Sequence, residues 1–133
     1  MNKLLKVLPL SLSILASVSV HAANSEYTNK INTVKSIEKN LMQCIPDVEQ
    51  SYLCYSKAGK DYTKLITDIR NKHSDKVDSK LWNYLNVKFN ERSKNCRNSD
   101  FDGGTQKAFY PNLDCLNSIL HQQAITTIEL HLK

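Results

Sequence analysis

The stretch that decides the fold runs from Leu81 to Cys115. It opens with Leu-Trp-Asn-Tyr-Leu-Asn-Val-Lys-Phe-Asn-Glu-Arg-Ser-Lys-Asn-Cys, which ends at Cys96. Its apolar residues recur every three or four positions, the spacing of an amphipathic helix. A glycine-containing segment, Arg97 to Asn112, follows, and Cys115 opens a second helical pattern. This order predicts a helical hairpin whose two arms are joined by cysteines across the loop.

The same spacing marks the second arm of this hairpin and predicts two further helices before it, and no strand-like alternation of any length and no internal repeat accompanies them. The apolar stripes are Tyr27, Ile31, Val34, Ile37 and Leu41; Val48, Tyr52, Tyr55, Ala58, Tyr62, Leu65 and Ile69; and Leu113, Leu116, Ile119, Leu120, Ala124, Thr127, Ile128 and Leu132. Glu38 falls between the positions of the first stripe and is expected to face water. The sequence therefore predicts an all-α fold, a small disulfide-stapled bundle of about four helices.

Helix ends are predicted from proline and from capping residues. Pro46 ends the first helix, because the residue before a proline avoids the helical region. Asp47, with Gln50 three residues on, predicts an N-cap and a capping box for the second helix. The third helix is expected to start near Asp78.

Three residues of the third helix share one side. Trp82 and Phe89 lie one heptad apart, so both are predicted to lie in the core. Arg92 follows on the same stripe, and a buried arginine needs a partner. We therefore expect Arg92 to meet a carboxylate or the carbonyl groups of a helix end.

The first 22 residues are predicted to be a secretory signal peptide. Lys3 and Lys6 give the chain a basic start, the run from Leu4 to Val20 is apolar and serine-rich with no acidic residue, and Val20-His21-Ala22 fits a signal-peptidase site. An uncleaved anchor is less favoured, because serines and a proline interrupt a run shorter than the ~20 residues of a spanning helix. Cleavage after Ala22 leaves residues 23–133 as one domain, periplasmic or secreted.

The distribution of charged residues argues against a nucleic-acid partner. The chain has 18 Lys and Arg against 13 Asp and Glu, and loss of Lys3 and Lys6 leaves 16 minus 13, a net charge of +3. The basic residues are interleaved with acids rather than clustered with aromatics, so no nucleic-acid partner is predicted. No segment after the signal is apolar enough to predict a membrane span.

The four cysteines, Cys44, Cys54, Cys96 and Cys115, predict disulfides, because the destination of an exported chain is oxidising. Three pairings are possible. The local one, Cys44–Cys54 with Cys96–Cys115, is preferred because it closes two short loops. Zinc, haem or redox chemistry is disfavoured, since no C-x-x-C pair occurs, and no metal or cofactor is predicted.

The Arg97–Asn112 segment is the least regular part of the chain, and irregular segments often carry function. Its candidate partner-binding residues are Asp100, Phe101, Asp102, Gly103, Gly104 and Thr105. The alternative is a plain connection held by its disulfide, in which the two glycines supply a turn. Both interpretations remain open.

Several of these features together resemble the LprI-like lysozyme-inhibitor domain of exported bacterial proteins. The resemblance runs from Met42 to the C-terminus and rests on Cys44, Cys54, Gln50, Asp61, Leu65, Arg92, Cys96, Gly103-Gly104 and Cys115-Leu116. The chain departs from that pattern at Lys88, where a tryptophan is usual, and at Leu120 and Gln123. The resemblance implies a helical, disulfide-bonded envelope protein that inhibits lysozyme.

The sequence and the resemblance together leave three candidate functions. The first is inhibition of a peptidoglycan-cleaving enzyme, with the Asp100–Thr105 loop entering its cleft. The second is a periplasmic immunity protein against a delivered toxin, or an envelope protein with a structural role. The third, catalysis, is disfavoured because His73, His121 and His131 form no recognisable motif and a flexible loop is a poor place to shift carboxylate pKa values. We therefore predict a binding protein and not an enzyme, with its oligomeric state open.

Overall fold

The helical spacing of the sequence is realised as four α-helices. The computed structural model describes residues 8–47, 49–98 and 110–133. The helices are α1 (Leu8–Cys44), α2 (Ser51–Lys72), α3 (Ser79–Asn98) and α4 (Pro111–Leu132), with a 3-10 turn at Ser74–Lys76. No strand occurs in these ranges, and the predicted all-α, disulfide-stapled bundle is confirmed.

Helix α1 is longer than its predicted apolar stripe. It begins at Leu8 and continues without a break through the first predicted helix to Cys44, just before Pro46. Cleavage after Ala22 stays a prediction. Within the described ranges, none of the helices combines the length and the apolar character that a membrane span requires.

Two aspartates were predicted to start helices, and only one of them does. The side chain of Asp78 accepts hydrogen bonds from the N–H groups of Lys80 and Leu81, at 2.8 and 3.2 Å, which caps α3. The capping box predicted at Asp47 is wrong. Its carboxylate accepts from the N–H of Glu49 within a tight turn, and α2 begins later, at Ser51, with no side-chain cap. The Asp47 side chain stabilises this turn instead, because the chain reverses direction between α1 and α2 before the second helix begins.

The helices pack around α2 and α4. Helix α1 packs against both of them, whereas α3 packs along α4. The core combines residues from three helices: Val34, Ile37, Ala58, Tyr62, Leu65, Ile66, Ile69, Ala124 and Ile128. Burial of this apolar surface is the main driving force for folding.

Helix α3 packs along α4 at the side of the bundle, so the residues of its predicted apolar stripe are less buried than expected. Trp82 and Phe89 are only half-buried, and Trp82 packs at the edge of the core. Arg92 is exposed, so the prediction that it is buried is wrong. The reason is that α4 covers only part of the α3 surface, and the stripe extends beyond the covered part.

Two disulfides tie the helices together. Cys44 is bonded to Cys54, with Cα atoms 5.8 Å apart, and Cys96 to Cys115, with Cα atoms 5.6 Å apart. The first links the end of α1 to the start of α2. The second links the end of α3 to the start of α4, so both bridges lie near helix ends.

Candidate functional site

The predicted partner-binding loop, Asp100 to Thr105, lies outside the described residues, and its role stays a prediction. The structure does show where this segment leaves and rejoins the bundle. Helix α3 runs two residues past Cys96, and α4 begins at Pro111, four residues before Cys115. The Cys96–Cys115 bridge therefore fixes both anchor points of the loop to one end of the bundle.

That end of the bundle also exposes large apolar side chains. We call Met42, Tyr52, Leu53 and Tyr110 the apolar end; their exposed fractions lie between 37% and 62%. The rings of Tyr52 and Tyr110 meet edge to face, with centroids 5.7 Å apart, and join α2 to α4 there. Tyr52 was predicted on the buried stripe of α2, and it is exposed because it lies in the first turn, at the margin of the core.

Beside the apolar end, a groove of about 240 Å³ with both polar and apolar lining runs between α1 and α4. We call it the α1–α4 groove. Its lining residues are Glu38, Leu41, Met42, Tyr62, Asp114, Asn117, Ser118 and His121. Met42 belongs to both features, so the groove and the apolar end are continuous.

Asn117 is the most unusual of these residues, because it is only 6% exposed and polar. Its side-chain N–H groups donate to the backbone carbonyls of Tyr55 and Leu113, at 3.2 and 3.0 Å. Both amide hydrogens are thus used, and the orientation of the amide is fixed. Its Oδ1 is buried and has no hydrogen-bond partner within the described part of the chain. A buried acceptor left unpaired costs about 1–3 kcal/mol, so this oxygen needs an explanation.

Tyr62 of α2 and Glu38 of α1 both line the groove. Burial of Tyr62, and secondarily the negative charge of Glu38, raise the pKa of the phenol to about 12. Its hydroxyl therefore keeps its proton at neutral pH and remains a hydrogen-bond donor. The nearest Glu38 oxygen lies 3.9 Å from Nε2 of His121, beyond hydrogen-bond distance. The carboxylate of Glu38 is thus available to a ligand.

The floor of the groove is held in place by contacts to α2. Asp114 accepts a hydrogen bond from the Tyr55 hydroxyl at 3.2 Å. The rings of His121 and Tyr62 meet edge to face, with centroids 5.8 Å apart. These contacts position side chains of α4 against α2, so the polar groups of the groove have defined places.

A second, more open groove lies on the other side of Asp114 and Ser118. Its volume is about 570 Å³, and Arg92 and Asn95 of α3 line its far wall. Arg92, which the sequence placed in the core, is therefore a surface group of this groove. Asp114 and Ser118 form the ridge between the two grooves.

The α1–α4 groove is rich in hydrogen-bond acceptors. Carboxylates from Glu38 and Asp114 and the unpaired carbonyl of Asn117 are hydrogen-bond acceptors, which suit a cationic donor. In the described ranges no cluster of three His, Cys, Asp or Glu side chains could hold a metal ion. Ser118 and His121 both line the groove, and no hydrogen bond joins their side chains in the described part of the chain.

Two further histidines, His73 and His131, lie at the opposite end of the bundle. A ring nitrogen of His73 lies 3.0 Å from the Glu26 carboxylate. His131 is buried. Its Nδ1 lies 2.7 Å from the Thr127 carbonyl oxygen and its Nε2 lies 3.3 Å from a guanidinium nitrogen of Arg70. Because Arg70 can only donate, Nε2 accepts and Nδ1 carries the proton, which makes His131 neutral.

The His131 contacts predict a pH-dependent stability. Burial lowers the pKa of His131 below 6.5; the Thr127 hydrogen bond opposes this, and the charges of Arg70 and His73 add to it. Between the folded pKa and 6.5 the unfolded chain binds more protons, so stability falls as the pH falls. We expect a loss of up to about 1.4 kcal/mol per pH unit below 6.5, measured by urea denaturation.

The matched control for this pH dependence is His131→Gln, which offers an amide donor and acceptor but does not titrate. The free energy of unfolding of this variant should depend less on pH than that of the wild type over the same interval. Glu26 has a lowered pKa through its hydrogen bond to His73, but this effect is lost only below 4.5. Equal slopes in the two proteins would show that His131 does not control the pH dependence.

The comparisons with known proteins leave the family open. The chain matches no protein-family model, no curated protein and no solved structure. The LprI-like resemblance therefore stays a prediction that depends on its own residues. In the structure, Asp61 and Leu65 lie on α2, Arg92 lies on α3, and Leu116 lies on α4.

Proposed function

We propose that the protein is an exported binding protein that inhibits a peptidoglycan-cleaving enzyme of the lysozyme type in the periplasm or envelope. The observation that carries this proposal is the apolar end. Exposed large apolar side chains grouped on a small protein mark a protein-interaction site. Tyrosine is also enriched among the residues that dominate binding energy at interfaces.

Charge bears on which partner fits. Lysozymes of animals are typically basic, and a mature chain of net charge +3 attracts such a partner little at long range. Next to the apolar end, however, the α1–α4 groove presents the carboxylates of Glu38 and Asp114. A local acidic surface can complement a basic partner at contact distance even when the net charges are alike.

The proposal is tested by measuring cell-wall lysis by purified muramidases, an animal lysozyme among them, with the oxidised protein recovered from the periplasm of an expressing cell. We expect stoichiometric loss of lytic activity. Tyr52→Ser in the apolar end should weaken inhibition by about tenfold or more, because an interface tyrosine is a frequent energetic anchor. Loop variants Asp100→Ala and Phe101→Ala test the predicted contribution of that segment.

Tyr84→Ser is the matched control, since Tyr84 is 58% exposed on α3, close to the 53% of Tyr52. Its inhibition should equal that of the wild type. If no muramidase is inhibited, and affinity capture from periplasmic extract recovers a toxin instead, the inhibitor function is wrong and immunity takes its place. If Tyr52→Ser and Tyr84→Ser behave alike, the apolar end is not the contact surface.

A further inference from the structure

We infer that the α1–α4 groove is a pocket for one cationic side chain, a lysine or an arginine, that projects from the surface of the protein partner. This inference rests on the proposed function for the identity of the partner. It adds the chemical group that the partner must present and the residues that receive it. The observation behind this inference is that Glu38 of α1 and Asp114 and Asn117 of α4 line the same groove.

The unpaired acceptor of Asn117 is the first argument. Both of its amide hydrogens are committed to backbone carbonyls, so no change of side-chain orientation supplies a partner for Oδ1 without breaking those bonds. A ligand that satisfies this oxygen must be a donor. An ammonium or guanidinium group has several N–H donors and no acceptor, which matches an acceptor-rich site.

The two carboxylates supply the charge. Glu38 comes from α1 and Asp114 from the first turn of α4, so they reach the groove from opposite walls. Glu38 makes no close ion pair with His121, its nearest basic neighbour in the groove, at 3.9 Å. Hydrogen bonds from a cation to a carboxylate are about twice as strong as bonds between neutral groups.

The apolar lining fits the stem of such a side chain. Leu41 and Met42 line the groove beside Glu38. Lysine and arginine bury their methylene stems on apolar surface and keep the charged head in a polar setting. Methionine adapts its shape to such a stem because it is unbranched and flexible. The groove thus matches both parts of the proposed ligand.

A protein-borne cation is favoured over a free amine because of the neighbouring surface. Met42 lines the groove and also belongs to the apolar end, where it is 62% exposed. A partner that covers the apolar end therefore also reaches the mouth of the groove. A free amine would leave those apolar side chains exposed to water.

The test uses two small probes with the oxidised, ¹⁵N-labelled protein and follows its amide signals by NMR. The probes are Nα-acetyl-lysine methylamide and Nα-acetyl-norleucine methylamide, which has the same four-carbon stem but no ammonium group. We expect saturable shifts of the Asn117 side-chain amide and of α4 backbone signals near Asp114 with the lysine probe, in the millimolar range. The norleucine probe should produce none of them. Equal responses to both probes, or no saturable response, would overturn the inference.

Matched variants make the test specific. Glu38→Gln should weaken binding of the lysine probe at least about fivefold, the equivalent of roughly 1 kcal/mol for one charged hydrogen bond. Glu91→Gln on α3 is the control, because the two glutamates have similar side-chain exposure, 58% and 56%. The probe needs no muramidase, so a failed lysis assay leaves this result standing. Inhibition that survives Glu38→Gln unchanged would instead show that the partner does not use the groove.

Discussion

Replacing Cys96 and Cys115 with alanine is expected to lower the free energy of unfolding by roughly 3 kcal/mol, the entropy of closing a loop of this length. The same change should loosen α3 from the bundle. The reason is that α3 packs along α4, with its apolar stripe only partly covered. Once the bridge is removed, noncovalent contacts alone hold α3 to the bundle. Among them are Trp82 against Arg70 and against the His131 ring, and a hydrogen bond from Gln123 to Asn86.

Trp82 is the only tryptophan of the chain, so its fluorescence reports the docking of α3 directly. We expect the double variant to show red-shifted emission and faster amide exchange along α3 before global unfolding. The control is alanine at Cys44 and Cys54, which removes the disulfide that closes the shorter loop between α1 and α2. That variant should also be less stable, yet keep the Trp82 emission of the wild type. Identical α3 exchange rates in both variants would contradict the role given to the Cys96–Cys115 bridge.

Sequence spacing predicted the helices well because helix periodicity is local. A stripe of apolar residues every three or four positions shows which side of a helix is suited to burial. It does not show whether a neighbour covers that side. Trp82 and Arg92 illustrate the difference, since both lie on the predicted stripe of α3, where one is half-buried and the other exposed. Their environment depends on the placement of α3 along α4, which no local pattern contains.

The α1–α4 groove could not be predicted for the same reason. Its parts lie between positions 38 and 121, and packing of α1, α2 and α4 brings them together. Glu38 was interpreted as a water-facing residue, and His121 was considered only as a catalytic candidate. One signal was present: Asn117 follows Leu116 within the apolar stripe of α4, where a polar residue is unusual. A buried asparagine of that kind indicates a specific hydrogen-bonding role, although its partners depend on the fold.

Ile128→Ala is expected to destabilise the protein by about 3–4 kcal/mol, the second large effect. Ile128 is fully buried on α4, in the core cluster that joins α1, α2 and α4. Truncation removes apolar contact and leaves a cavity, because well-packed neighbours relax only partly. Since small domains have only about 5–15 kcal/mol of total stability, the variant should unfold at clearly lower urea concentration and temperature.

Leu130→Ala is the matched control, two residues along the same helix, where the side chain is 36% exposed. Its loss should stay below about 1 kcal/mol, since a surface truncation leaves no enclosed cavity. Ile128→Val, which removes a single methylene, should fall between them at about 0.5–1.5 kcal/mol. The graded order Ala, Val, wild type at position 128 tests packing itself, because helix propensity favours alanine and would act in the opposite direction. If Ile128→Ala cost no more than Leu130→Ala, α4 would not form the centre of the core, and the placement of Asn117 and Asp114 in the groove would lose its support.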